Sequence, residues 1–187
     1  VSQLISKSII AQITPDQMRR LERIDAEDFS LVMEKAIEDL AAMGVQVSTD
    51  YGRRGIHALK QYYAVAMLDP ANAHSVTLPI DPFWHAHILF TAEYRRFCDD
   101  VIGEYMDHVP LDKQDSSKVK NVRQLYTYTL EVLPRLFSDI DQDFWPTAVT
   151  DADLICYHKG NTEIYPALQA DRLFEPVPQG QAWAYAA

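Results

Sequence analysis

Asp81-Pro82-Phe83-Trp84-His85-Ala86-His87-Ile88-Leu89-Phe90 is the stretch that decides how this chain folds. It sets two histidines and a carboxylate inside a nearly unbroken apolar run. A helix that is apolar on almost every side belongs in the interior, not on the surface. Asp81 suits an N-cap, and Pro82 suits the first helical position, where a missing N–H costs nothing. The expected helix spans about 81–102, either continuous or restarted at Thr91, and Gly103 stops it. If continuous, it aligns Phe83, His87, Phe90, Tyr94, Phe97 and Val101 in one stripe. Trp84, Ile88 and Leu89 add a second buried face.

The flanking segments are helical too. Thr14-Pro15-Asp16-Gln17 is a helix start with a capping-box spacing. A second helix is expected over Ala26–Met43, where Phe29, Val32, Met33, Ala36, Ile37 and Leu40 recur at helical spacing. Ser48, Thr49 and Asp50 offer caps for a third, which ends before Asp69-Pro70. Residues 69–80 read as a loop. A further helix is expected from about Lys118 to Phe137, with Pro134 kinking or shortening it. A last short one is expected from Thr150 or Asp151 to Tyr157. No strand pair with hairpin signals stands out. The expected fold class is therefore all-α, a single-domain irregular helical bundle around the central buried helix. Residues 1–13 form an N-terminal segment, 14–157 the helical domain and 158–187 an irregular tail carrying Phe174, Trp183 and Tyr185.

Composition bounds the function. With 187 residues the chain can bury a full core. A net charge of −10 argues against nucleic acid as a partner, because phosphate binding needs clustered Lys and Arg. No apolar run is long enough to cross a membrane. The first residues lack a basic segment and a long apolar core, so no signal peptide is expected. The two cysteines, Cys98 and Cys156, are too far apart for a Cys-x-x-Cys site, and a reducing cytoplasm is the simplest setting. Nucleotide-binding and Gly-x-Ser-x-Gly signatures are absent.

The chemistry rests on the histidines. Residues four apart share a helical face, so Asp81 and His85 can meet. His85 and His87 point apart on a regular helix and converge only in extended backbone. This leaves two arrangements. In one, Asp81, His85 and His108 cooperate while His87 packs inward. In the other, His85, His87 and His108 form a three-histidine site, with Asp81 as ligand or orienting partner. Three histidines suit zinc with an open position, and a histidine-carboxylate set suits non-haem iron; copper is a further option. The competing reading is a buried hydrogen-bond network in a non-catalytic protein-interaction domain. A metal-free His85–Asp81 acid-base pair is a third. His57, His74 and His158 receive no role, and Cys98 reads as a small buried hydrophobe. The partner is a small molecule or a protein, of a kind the residues do not specify.

The pattern Asp81-x-x-Trp84-His85-x-His87-Ile88-Leu89-x-Thr91-x-x-Tyr94-x-x-Phe97-Cys98, then Gly103 and His108-x-Pro110, resembles the glycine-rich domain-containing protein-like family. Leu125-Tyr126 and Trp145-Pro146 extend the likeness over about residues 25–146. The chain departs from that family in lacking a glycine-rich tract, with only six glycines, and in having Ser138 where glycine is expected. The resemblance implies an isolated histidine-containing domain more than an activity. It marks Asp81, Trp84, His85, His87, Tyr94, Cys98, Gly103 and His108.

Overall fold

A computed structural model describes residues 2–159. The element order is a 3-10 turn Lys7–Gln12, α1 Pro15–Ala26, α2 Ser30–Ala42, α3 Thr49–Leu68, β1 His74–Thr77, α4 Asp81–Leu89, α5 Thr91–Phe97, a π-helical turn Cys98–Ile102, β2 Val109–Pro110, α6 Ser116–Leu136 and β3 Leu154–His158. The molecule is mostly helical but not all-α, because β1, β3 and β2 form an antiparallel sheet with β3 in the middle.

α3 holds the centre, a place the sequence reading gave to residues 81–102. Every residue from Gln61 to Leu68 is buried, and α3 touches α1, α2, α4, α6 and β1. Its start is fixed by Ser48, whose hydroxyl accepts from Tyr51 N–H. α1 begins with the complete capping box of Thr14 and Gln17. Gly55 lets α4 come close to α3: a Cβ there would lie 2.2 Å from the Phe83 ring. The N-terminal segment is part of the same core, with Leu4, Ile5 and Ile9 buried and Ser6 N–H bonded to Leu136 O at 2.7 Å.

The expected helix over 81–102 is not continuous. Phe90, at φ −82° and ψ 64°, leaves the helical region and separates α4 from α5. Ten residues of straight helix would place Trp84 and Tyr94 about 15 Å apart along the axis. The break instead folds α5 back, so that Trp84 Nε1–H donates to Tyr94 Oη at 3.0 Å. Gly103, at φ +98°, then ends the π turn in a left-handed conformation open to glycine.

Two segments expected to be otherwise are strands. Within the expected loop 69–80, His74–Thr77 pairs with β3, placing His74 opposite His158 and Val76 opposite Cys156. The expected short helix ending at Tyr157 is instead β3, whose Leu154, Cys156 and His158 face inward in strict alternation. α6 packs on the sheet. It runs to Leu136 with Pro134 in its last turn, where little of the ladder remains to be lost. The tail aromatics Phe174, Trp183 and Tyr185 lie outside the described residues.

Candidate functional site

Four side chains meet where the start of α4 faces the sheet. Asp81 opens α4 as its first residue, with Ile80 rather than Asp81 at the N-cap position. Its carboxylate makes no capping bond, and is committed elsewhere. Asp81 Oδ1 accepts from His108 Nε2–H at 3.0 Å and from the Cys156 thiol at 3.1 Å. His85 comes one turn along α4, with Nε2 at 3.4 Å from the same oxygen and 3.0 Å from His108 Nε2. His108 immediately precedes β2, which pairs with β3 at Pro110–Cys156, so the sheet carries both His108 and Cys156 to the helix end. Donor atoms of Asp81, His108 and Cys156 all fall within 4.8 Å of one another.

Two protons, on His108 Nε2 and on the Cys156 thiol, already point at one carboxylate oxygen. Two Nε2 atoms 3.0 Å apart cannot each aim a proton at the other, and with the His108 proton committed to Asp81 the contact is satisfied when His85 Nε2 presents its lone pair. That lone pair sits beside a carboxylate already shared by two donors. In a tetrahedral zinc site with ordinary bond lengths, ligand atoms lie about 3.3–3.5 Å apart. The contacts to Asp81 Oδ1 and between the two imidazoles, 3.0–3.4 Å, are close to that spacing, while the Asp81, His108 and Cys156 donors as a set lie within 4.8 Å.

Electrostatics fit the same picture. Burial pushes the Asp81 carboxyl up, but hydrogen bonds from His108 and Cys156 and the nearby histidine charges outweigh it, so its pKa is lowered. The Cys156 thiol is pushed well above its ordinary value, by burial first and by Asp81 second. It becomes a thiolate only if a cation compensates its charge.

His87 does not join the group. It points to the opposite side of α4, where Nδ1 bonds the Tyr63 hydroxyl at 2.7 Å. The rings of Phe29, Tyr63, Tyr94 and Phe97 enclose it. Burial, with a smaller contribution from Arg96, lowers its pKa to about 4, so it is a neutral core residue. α4 stays regular through His87, and the helical divergence of residues two apart excludes the three-histidine arrangement.

Cys156 is the site residue that sequence reading missed, since spacing from Cys98 said nothing about pairing with Asp81. No period-two pattern marks the run Leu154-Ile155-Cys156-Tyr157-His158, whose inward alternation shows only in the fold. His74 and His158, given no role from sequence, are buried. His158 Nδ1–H donates to Tyr62 Oη at 2.8 Å, and the Tyr62 hydroxyl donates to His74 O at 3.1 Å. His74 bonds Asp69 Oδ2 at 3.1 Å and Thr129 Oγ1 at 3.2 Å. Asp69 also accepts from Asn72 at 2.7 Å and from Tyr128 at 2.6 Å. This network clamps β1 to β3 behind Cys156. In front, the Trp84 ring lies against His108 at 4.6 Å between centroids, and the Tyr94 hydroxyl that holds Trp84 donates to Met106 O.

Comparison with known proteins corrects the resemblance drawn from the Trp-His-x-His pattern. The family model that matches, over residues 12–132, is UCP032817-like, and not a glycine-rich domain-containing family. The match spans α1 to most of α6 and includes Asp81, His85 and His108, but not Cys156. No curated protein and no solved structure matches the chain. With well over half of its residues covered by that one model, the chain belongs to the UCP032817-like family.

Proposed function

We propose that this protein is a divalent-metal-binding domain, with Asp81, His85, His108 and Cys156 as the ligands. One observation carries the reading: Asp81, His108 and Cys156, from a helix, a loop and a strand, bring their donor atoms within 4.8 Å of one another, with His85 3.4 Å from the same carboxylate oxygen. The mixed set of two imidazoles, a carboxylate and a thiol suits zinc best, since sulfur is a soft ligand and four donors match its tetrahedral preference. Iron and copper are the competing ions.

The chemistry depends on the fourth position. If all four residues stay bound, the metal ties α4 to the sheet and stabilises the fold. If one ligand gives way to water, the metal can activate that water for hydrolysis. The buried hydrogen-bond network fits three of the four remaining histidines, His74, His87 and His158, which have partners within the core, while the buried Nε2 of His57 has none among the described residues.

Elemental analysis of untagged protein tests the proposal, beside the variants Asp81→Ala, His108→Ala and Cys156→Ser. Near-stoichiometric zinc in the parent, reduced in each variant, is expected. Metal-free parent protein that neither takes up added zinc nor gains thermal stability from it would end this reading.

A further inference from the structure

The four donors proposed as ligands differ in how firmly they are held. Cys156 is fully buried in the middle strand. The Asp81 and His108 side chains are each 13% exposed. Asp81 is gripped by its bonds to His108 and Cys156, and His108 by the Trp84 ring. His85 is the exception, with a side chain 56% exposed. Its ring meets His108 edge-on at 4.4 Å between centroids, and much of the remainder faces solvent.

Three buried ligands and one at the rim make an uneven site. An exposed histidine gives up little packing when it swings out. Cys156 and Asp81 cannot leave without opening the core, and His108 is held by Asp81 and the Trp84 ring. Three firm protein ligands and one replaceable position is the pattern of zinc sites that accept external molecules.

Charge selects what enters. A dication held by the Asp81 carboxylate and the Cys156 thiolate is already neutralised. A further anion would bring net negative charge into a half-buried site, so a neutral donor is favoured. His85 is itself such a donor. Leu89 stands one turn further along the same side of α4 and is 62% exposed, with Ile88 partly buried beside it. An exposed leucine beside a metal position offers apolar contact to whatever binds there.

We infer, as an extension that rests on the metal reading, that His85 is an exchangeable ligand. Its position admits a small neutral oxygen- or nitrogen-donor molecule, such as a carbonyl compound, whose apolar part lies over Leu89. The exchange breaks one Nε2–metal bond and forms one donor–metal bond. No proton or electron is transferred.

Cobalt-loaded protein makes the exchange visible in its electronic spectrum. Wild type, His85→Ala and Leu89→Ser are titrated with 1-methylimidazole, 1-butylimidazole and acetate. His85→Ala is expected to keep near-stoichiometric cobalt and its helical circular dichroism. It should bind 1-methylimidazole roughly ten-fold more tightly than wild type, where His85 competes for the position. The butyl compound should bind roughly three-fold more tightly than the methyl one, through partial burial of its extra methylenes. That preference should vanish in Leu89→Ser. Acetate should bind more weakly than either imidazole. Loss of cobalt from a folded His85→Ala, and likewise from His85→Asn, would make His85 integral and overturn the inference. So would cobalt bands in His85→Ala that no probe moves. In both cases the metal reading survives through wild-type cobalt binding. Wild type that binds no cobalt removes both.

Discussion

Tyr62→Phe tests the clamp behind the site. Tyr62 is fully buried, and its ring packs against Trp84, Trp145 and His158. Phenylalanine keeps that packing and removes one oxygen. The oxygen accepts from His158 Nδ1–H at 2.8 Å and donates to His74 O at 3.1 Å. His158 is 3% exposed, so its N–H has no ready access to water and its orphaning costs about 1–3 kcal/mol. The lost bond to the His74 carbonyl adds about 1 kcal/mol. The sum is about 2–4 kcal/mol, or a fall in Tm of roughly 5–15 °C for a chain of this length. Urea unfolding monitored by tryptophan fluorescence measures it, with the slope against urea unchanged. Because His158 is two residues from Cys156 on the same strand face, zinc affinity should also fall, by about 10–100-fold as for other partners that orient ligands. A loss below about 0.5 kcal/mol would refute the reasoning, since it would mean that water reaches both orphaned groups.

Metal-free protein should lose stability as pH falls through the window set by His87. Its folded pKa of about 4 lies below the ordinary 6.5, so the unfolded chain binds the proton first. The contribution is complete above pH 6.5 and declines by about 3 kcal/mol toward pH 4. The slope of thermal melts in chelator across that range should lessen in His87→Phe, with a remainder from His158, whose pKa burial also lowers, and an unchanged slope would count against a buried neutral imidazole at His87. Gly55→Ala forces a methyl to within 2.2 Å of the Phe83 ring and should cost about 1–3 kcal/mol. Phe83→Leu in the same chain should recover part of that loss in urea titrations, and the absence of any rescue would place the strain elsewhere. Tyr94→Phe orphans Trp84 Nε1–H and frees Met106 O, loosening the segment that carries His108. Calorimetric zinc titration should then show about 10–100-fold weaker binding, with far-ultraviolet circular dichroism preserved.

The helices were legible where their ends carry chemistry. Thr14 and Gln17 form the capping box that their spacing announces, and Ser48 caps α3. α2 starts later than its periodicity suggested, because Asp28 turns to bond Ser30 N–H and hydroxyl. The strands were not legible. His74–Thr77 and Val109–Pro110 are too short to show a period, and their partner β3 lies far along the chain, with no turn to link them. Asp81 and His85 were readable as neighbours because a helix fixes their relation locally. His108 required a supposition about a loop. Cys156 required the sheet, which nothing near it in sequence encodes. His74 and His158 looked ordinary for the same reason, since each is explained by the other across β1 and β3.

The sheet order has a consequence for the birth of the protein. β1 and β2 do not pair with each other, and each waits for the strand between them. That strand lies far downstream of both, so during vectorial synthesis it leaves the ribosome after every helix among the described residues has been made. Until then two short edges flank an empty slot, and long-range closure of this kind is slow compared with helix formation. Asp81, His85 and His108 are therefore translated well before Cys156. A nascent chain stalled upstream of Leu154 would display an incomplete set of donors above an unfilled sheet. Insertion of the middle strand is thus the step that completes the sheet, and the sulfur it delivers arrives only when the surrounding fold is ready to enclose it.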